Sequence, residues 1–279
     1  MRYTLCAAMA LTLVLAPGAK ADEKAPLLPF LGEEARKRGI ELPATFGIGV
    51  VYYHLDRAID ISDVRVGRNG EAPQSVSEFA QLGSSSRVDN VNLKADVWIL
   101  PFLNLYAIVG GIWNESQTTI DVTLPPLLPG GAPRQRTLTV PTEMTGTVGG
   151  LGMTVAGGYG PLFFAADVNA ARADLGFDDE FKAVVTSVRA GWNGRAGSRP
   201  FRAWVNATYW DTFAEATGNV ADPDGGGTLS FEVDQGPAHP WTFGVGSAYS
   251  PTRWLDIAVD TGTDFDGGWY IAVVPVFRF

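Results

Sequence analysis

The chain has 279 residues, of which 46% are hydrophobic and 18% charged, and its formal net charge at pH 7 is -9. An acidic chain argues against a nucleic-acid partner, because binding the phosphate backbone needs a basic surface that displaces counterions. No apolar run reaches the roughly 18 residues of a membrane-spanning helix. The sequence therefore excludes helical membrane spans and predicts no nucleic-acid partner.

The first 21 residues have the pattern of an export signal. Arg2 supplies positive charge, an apolar stretch runs from residue 5 to 16, and residues 19–21 offer small side chains at a cleavage site. We expect residues 1–21 to be a signal peptide and the mature chain to begin at Asp22. The single cysteine, Cys6, lies inside this signal, so the mature chain would contain no disulfide.

Residues 22–44 are predicted to form an N-terminal segment that contains a short helix from about Leu31 to Gly39. Pro43 limits the extension of this helix. Its charges, together with the flanking apolar residues Leu28 and Phe30, make the segment amphipathic.

From residue 45 onward the sequence breaks into stretches of about ten residues in which apolar and polar side chains alternate. A tilted strand needs about 9–11 residues to cross a bilayer, and the stretches have this length. We predict ten strands, at about 45–56, 88–99, 104–115, 144–159, 162–173, 181–192, 201–213, 240–249, 254–263 and 268–279.

The connections between these strands differ in length in a regular way. Short turns surround Pro101, Pro161 and Pro251, whereas residues 57–87, 116–143 and 214–239 read as long polar loops. Short turns at one end, longer loops at the other and an even number of strands are typical of an outer-membrane barrel. We therefore predict an all-β fold, a transmembrane antiparallel up-and-down β-barrel over residues 45–279, with the short helix on the periplasmic side.

The last strand, "WYIAVVPVFRF", places apolar residues on alternate positions and ends on Phe279. It resembles the C-terminal assembly signal of bacterial outer-membrane β-barrels, in which the insertion machinery recognises a terminal aromatic residue. The resemblance implies location in the bacterial outer membrane, periplasmic termini, and contact with outer-membrane lipid and lipopolysaccharide. Pro275 departs from the pattern, and we expect a bulge or weakened pairing there, because proline cannot donate a ladder hydrogen bond.

Alternation also assigns charged side chains to the barrel interior. Four are positive and four negative, which leaves two interpretations open: a salt-bridged polar core that fills the barrel, or a charged constriction along a solute path. The helix could cap the periplasmic mouth, lie on the inner leaflet or enter the lumen. The predicted lumen-lining residues are Lys94, Asp96, Asp167, Arg189, Arg202, Asp256, Asp260 and Arg278.

The strand at 144–159 is rich in glycine, which weakens a strand unless curvature or a close approach requires it. We expect its glycines to bend the wall or to leave space for an inward aromatic such as Trp98 or Trp204. A ligand niche is the alternative.

Little in the sequence indicates catalysis. The imidazoles are His54, which shares a strand face with Asp56, and His239; no nucleophile elbow, zinc motif or phosphate-binding loop is present. We predict no catalytic residues, no cofactor and no metal site. Three functions stay open: a narrow pore or small-solute-binding barrel, a structural or surface-interaction barrel with a filled lumen, and an enzyme at the rim that uses His54 with a rim aspartate on lipid or peptide.

Overall fold

A computed structural model describes residues 28–37, 42, 44–68, 70–75, 80–124, 134–175, 181–221 and 227–279. The predicted signal peptide lies outside these described residues. No helix in the described part is long and apolar enough to cross a membrane.

The described residues form one short helix and a series of antiparallel strands. The helix α1 spans Gly32–Lys37, within the predicted range. The strands are β1 (Phe46–Arg68), β2 (Gln74–Ser75), β3 (Ala80–Leu100), β4 (Leu103–Leu124), β5 (Arg134–Tyr159), β6 (Leu162–Asp174), β7 (Phe181–Ala196), β8 (Arg199–Ala221), β9 (Thr228–Pro237), β10 (Trp241–Thr252), β11 (Leu255–Thr263) and β12 (Trp269–Arg278).

Ten of these strands close into a barrel. The neighbour order around the wall is β1, β3, β4, β5, β6, β7, β8, β10, β11 and β12, and β12 pairs back with β1. Closure gives the backbone N–H and C=O groups on both sides of each strand a hydrogen-bond partner. A sheet that spans a bilayer needs this, because the hydrocarbon core contains no water to pair with free backbone groups. The predicted ten-stranded up-and-down architecture is confirmed.

The outer surface of this barrel is apolar. Val109, Leu151 and Val205 are 60%, 70% and 60% exposed, respectively, and the buried polar residues Asn92 and Asn206 lie on the opposite, inward face. An apolar exterior around a polar interior is the pattern of bacterial outer-membrane barrels and the reverse of a barrel that dissolves in water. The chain is a transmembrane β-barrel.

The predicted long loops are wrong for much of their length. β1 continues to Arg68 and β3 begins at Ala80, while β4, β5 and β8 also run well past the predicted strand ends. The sequence there is polar, as in "DISDVRV" at 60–66, but it is rich in β-branched residues, which favour strands. The strands therefore rise beyond the apolar band at the end of the barrel that we call the long-strand end.

An additional strand, β9, was not predicted. Above the apolar band it pairs with β8 on one side and with β1 on the other, so a single strand replaces β10, β11 and β12 there. Arg65 of β1 fixes this arrangement by contacting Asp63, Glu232 and Asp234. Hydrogen bonding to Asp63 and the charge of Asp234 raise the pKa of Arg65 above its ordinary value.

We call the opposite end of the barrel the short-turn end. It contains the two-residue turns, the start of β1 and the end of β12. Gly160 and Gly197 adopt positive φ values of 59° and 61° in two of these turns, a conformation that glycine reaches without a steric penalty. Phe46 and Phe279 exchange two backbone hydrogen bonds of 3.0 Å. α1 lies at this end, because the Phe30 N–H donates to the Ile99 carbonyl at 2.9 Å.

Pro275 weakens pairing on one side only. The ladder between β1 and β12 skips two rungs between Gly49↔Val276 and Tyr52↔Val273 without a change of register. On the other side, Pro275 pairs in regular register with Ile257 of β11. The outcome is the weakened pairing that the proline predicts, without a bulge.

Candidate functional site: the barrel interior

A cavity of about 1730 Å³ lies inside the barrel. Its lining begins with Phe102 and Gly160 at the short-turn end and reaches Ile59 and Gln235 at the long-strand end. No described residue of α1 lines this cavity, whereas Leu42 of the segment that follows the helix does. Side chains therefore do not fill the interior along its whole length.

The first of three polar clusters in the wall lies toward the short-turn end. Asp96, whose side chain is 0% exposed, contacts Arg278 Nη1 at 2.5 Å and accepts a hydrogen bond from Asn104. Asp256 lies 3.6 Å from Arg278 Nε and 3.5 Å from Arg202 Nη2. Four of the predicted interior residues thus form one alternating chain of charges.

The second cluster is centred on Asp260. Its carboxylate accepts hydrogen bonds from Trp204 Nε1 at 2.8 Å, Asn206 Nδ2 at 2.7 Å and Tyr270 OH at 2.8 Å. Arg189 lies near the same carboxylate, with Nε at 3.8 Å. Neutral donors from β8 and β12 therefore hold this carboxylate more closely than its cationic neighbour does.

The third cluster joins Lys94 and Asp167 through an aromatic ring. Tyr106 OH donates to Asp167 at 2.9 Å, and Thr154 Oγ1 donates to the other carboxylate oxygen at 2.5 Å. The Lys94 ammonium lies 4.3 Å from the centre of the Tyr106 ring, within range of a cation–π interaction. All the predicted interior residues thus face inward, and seven of them line the cavity while Asp96 is buried in the wall.

One glycine of β5, Gly152, makes room for an aromatic residue, but not for either of those proposed from the sequence. A Cβ on Gly152 would lie 2.3 Å from the Tyr106 ring, and these residues are partners in the β4–β5 ladder. Trp204 instead covers Gly246 of β10, where a Cβ would lie 2.4 Å from the indole. The expectation of Trp98 or Trp204 opposite β5 is wrong, because the pairing register decides which ring meets which glycine.

Replacing Gly152 with valine should destabilise the barrel by about 1–3 kcal/mol, because the side chain forces Tyr106 away from Asp167. The measurement is urea-induced unfolding in detergent, followed by tryptophan fluorescence. Gly149→Val is the matched control, since the same strand offers open space there. Equal unfolding midpoints for the two variants would contradict the close approach of Gly152 and Tyr106.

Arg57 is an interior residue that the sequence prediction missed. It is 8% exposed, lines the cavity, and donates from Nη2 to Thr212 Oγ1 at 2.8 Å. Within the described part of the chain, its Nε and Nη1 have no hydrogen-bond partner. The first strand was predicted to end at residue 56, so Arg57 was assigned to a loop. Extending the strand by one residue would have placed Arg57 on the same inward face as Tyr53 and Leu55.

The cavity lining is more positive than predicted. Its carboxylates, among the described residues, are Asp167, Asp256 and Asp260. The interior cations are Arg57, Lys94, Arg189, Arg202 and Arg278. Arg172 lines the cavity near the long-strand end of β6, and the short-turn mouth adds Arg195, Arg199 and Arg253. The interior is therefore cationic within a chain whose net charge is -9.

His54 faces outward, away from this cavity. Its Nδ1 lies 2.9 Å from the Asp89 carboxylate, which also accepts from Tyr52 OH at 2.8 Å, and its ring centre is 4.8 Å from that of Trp269. Asp56 points the same way and lies 3.4 Å from Arg87. The carboxylate beside His54 is thus on β3, not in the rim loops from which the sequence suggested a partner.

His239 lies 2.7 Å from the exposed Asp266 at the long-strand end. The described residues contain no group of histidine, cysteine and carboxylate side chains that could hold a metal ion. The candidate site consists of the predicted interior residues together with Arg57.

No family model matches the chain, and no curated protein matches it. Among solved structures it is similar to the transport unit of the Escherichia coli autotransporter AIDA-I, at 8% identity and TM-score 0.37, with 84% of this chain and 90% of that chain covered. It is also similar to the Ralstonia pickettii toluene transporter TbuX, at 12% identity and TM-score 0.33, covering 86% and 90%. The COG4313 outer membrane channel from Pseudomonas putida F1 aligns at 13% identity and TM-score 0.33, covering 86% and 97%. Similarities this distant do not indicate a function for this chain.

Proposed function

We propose that the protein is a bacterial outer-membrane barrel that conducts small solutes through its interior. The observation that carries this proposal is the cavity of about 1730 Å³, whose lining includes residues from both ends of the barrel. The charged side chains pair with one another along the wall, so they shape the path without closing it. A bore of this kind suits solutes the size of small ions and metabolites.

The charge of the lining supports a preference for anions. Arg195, Arg199 and Arg253 line the cavity at the short-turn mouth, and the cationic interior residues outnumber the carboxylates beyond it. Low-dielectric walls focus such a field along the bore and raise the local concentration of oppositely charged solutes. The passage of chloride and of small organic anions through the bore would therefore be favoured over the passage of cations.

The orientation belongs to the same proposal. The short-turn end, with α1 and both ends of the barrel sheet, would face the periplasm, as the turns of such barrels do. The last strand would contact the insertion machinery during assembly, and lipopolysaccharide would surround the opposite end of the apolar band. The extension formed with β9 then projects outside the cell.

A structural or surface-interaction barrel is the second candidate. It is favoured by the continuous chain Asp96, Arg278, Asp256 and Arg202, which is typical of a permanent internal scaffold. It is also favoured by the tall extension of β1, β3, β4, β5, β8 and β9, which offers a large surface to partners. This candidate requires no movement of solute through the interior.

Single-channel recording in a planar bilayer separates the two candidates. The folded wild-type protein should give discrete conductance steps, and Arg202→Ala or Asp256→Ala should change their size, because each removes a charged side chain from the cavity lining. Arg87→Ala is the control, since Arg87 is 55% exposed on the outward face and should leave the conductance unchanged. Silence from pure, folded, inserted protein would refute the conduit and favour the structural barrel.

A further inference from the structure

The section of the cavity directly below β9 has two chemically different walls. One wall, formed by β1, β8 and β12, contains Arg57 with three aromatic side chains around it. The Arg57 guanidinium carbon lies 5.9 Å from the centre of the Trp210 ring. Tyr53 lies 5.5 Å from Trp210 and 5.8 Å from Tyr270, measured between ring centres.

This wall contains hydrogen-bond donors that lack acceptors. Among the described residues, neither Arg57 Nε, Arg57 Nη1 nor the Tyr53 hydroxyl has a partner, and all three atoms are buried. A buried guanidinium without an anionic partner is costly, because transfer of a charge out of water must be compensated by pairing and hydrogen bonding. Arg57 also lines the cavity, which places its side chain beside any anion that enters the bore.

The facing wall is apolar. Ile112 of β4, Val148 of β5 and Ala173 of β6 form a buried cluster, against which Val88 and Phe181 pack. The order of strands around the barrel places β5 across the bore from β11, between the strands that carry Arg57 and Trp210. Two ladder pairs connect the walls. Leu55 of β1 pairs with Val88 of β3, and Thr212 of β8 pairs with Ala183 of β7, so the two walls lie at the same level of the bore.

We propose that this section of the bore binds small organic carboxylates that carry an apolar body. The single guanidinium suits one negative charge, and the planar carboxylate is the group whose geometry it matches. The apolar cluster buries the remainder of the solute and gains roughly 25 cal/mol for each Å² of apolar surface removed from water. This inference rests on the proposed entry of solutes into the cavity and names the class of solute that is held there.

Benzoate is the probe, and acetate and benzyl alcohol are its matched controls. Isothermal titration of the full-length protein in detergent should show benzoate binding more tightly than acetate, which lacks the apolar body, and than benzyl alcohol, which lacks the charge. Equal affinity for benzoate and acetate would overturn the role of the apolar wall. Equal affinity for benzoate and benzyl alcohol, or no benzoate binding at millimolar concentration, would overturn the anion site.

The residue test compares Arg57→Gln with Arg87→Gln, which removes the same charge from the outward face next to it. Arg57→Gln should weaken benzoate binding at least tenfold, in line with the loss of a hydrogen bond to a charged group, while Arg87→Gln binds like wild type. Arg57→Lys, which keeps the charge, should lose less affinity for benzoate and provides a second variant if glutamine prevents folding. Wild-type affinity in Arg57→Gln would refute the assignment.

Phe181→Ala tests the apolar wall and should weaken the binding of benzoate without changing the binding of acetate.

Conductance distinguishes this inference from the proposed function. A protein that conducts ions but does not bind benzoate would refute the carboxylate site alone. A protein that binds benzoate through Arg57 but never conducts would support the site and refute the conduit, leaving a binding barrel.

Discussion

The Asp96→Ala variant is expected to lose about 3–5 kcal/mol of free energy of unfolding, the usual cost of removing one partner from a buried ion pair. The Asp96 side chain is 0% exposed and contacts Arg278 Nη1 at 2.5 Å, while the Arg278 side chain is only 16% exposed. Removing the carboxylate leaves Arg278 with Asp256 at 3.6 Å, a more distant partner that Arg202 shares. It also leaves Asn104 without its acceptor.

Urea-induced unfolding in detergent measures this loss, and two further variants define its cause. Asp56→Ala removes a carboxylate from an outward pair with Arg87 at 3.4 Å, and such exposed pairs contribute only about 0–1 kcal/mol. The double variant Asp96→Ala/Arg278→Ala should recover part of the stability, because no unpaired buried charge remains. If Asp96→Ala unfolds at the same urea concentration as Asp56→Ala, the buried pair does not stabilise the barrel.

The barrel and the direction of its side chains could be predicted because both follow from the period of two. Lipid demands apolar residues on the outer face of each spanning strand, so every charged residue on the alternate positions must point inward. Arg189 and Asp260 lie on different strands, yet parity alone assigned both to the interior. The same pattern, together with the turn residues, predicted the strand ends at the short-turn end to within four residues.

Register and everything above the membrane could not be predicted in this way. The ladder partners Tyr106 and Gly152 depend on how far one strand is shifted along the next, which a single sequence does not encode locally. Beyond the apolar band water accepts either face, so the alternation loses its contrast and β9 read as a loop. Arg57 was missed at this boundary, one residue past the predicted end of the first strand.

The second large effect is expected in ion selectivity. With a salt gradient across a planar bilayer, the reversal potential of the wild-type protein should show a preference for chloride over potassium. In the described part of the chain, the cations of the lining outnumber its three carboxylates, and Arg278 and Arg202 already neutralise Asp256. The free field of the bore is therefore positive although the chain carries a net charge of -9.

The mouth arginines should contribute more to this preference than the interior pairs. Arg195, Arg199 and Arg253 are exposed at the short-turn end, and combined replacement by glutamine should lower the chloride-to-potassium permeability ratio several-fold. Their field reaches about 10 Å into solution at 0.1 M salt but only about 3 Å at 1 M, so the wild-type preference should also shrink as salt rises. Arg87→Gln should leave the ratio unchanged. A wild-type preference for potassium would show that the carboxylates, not the arginines, set the field of the bore.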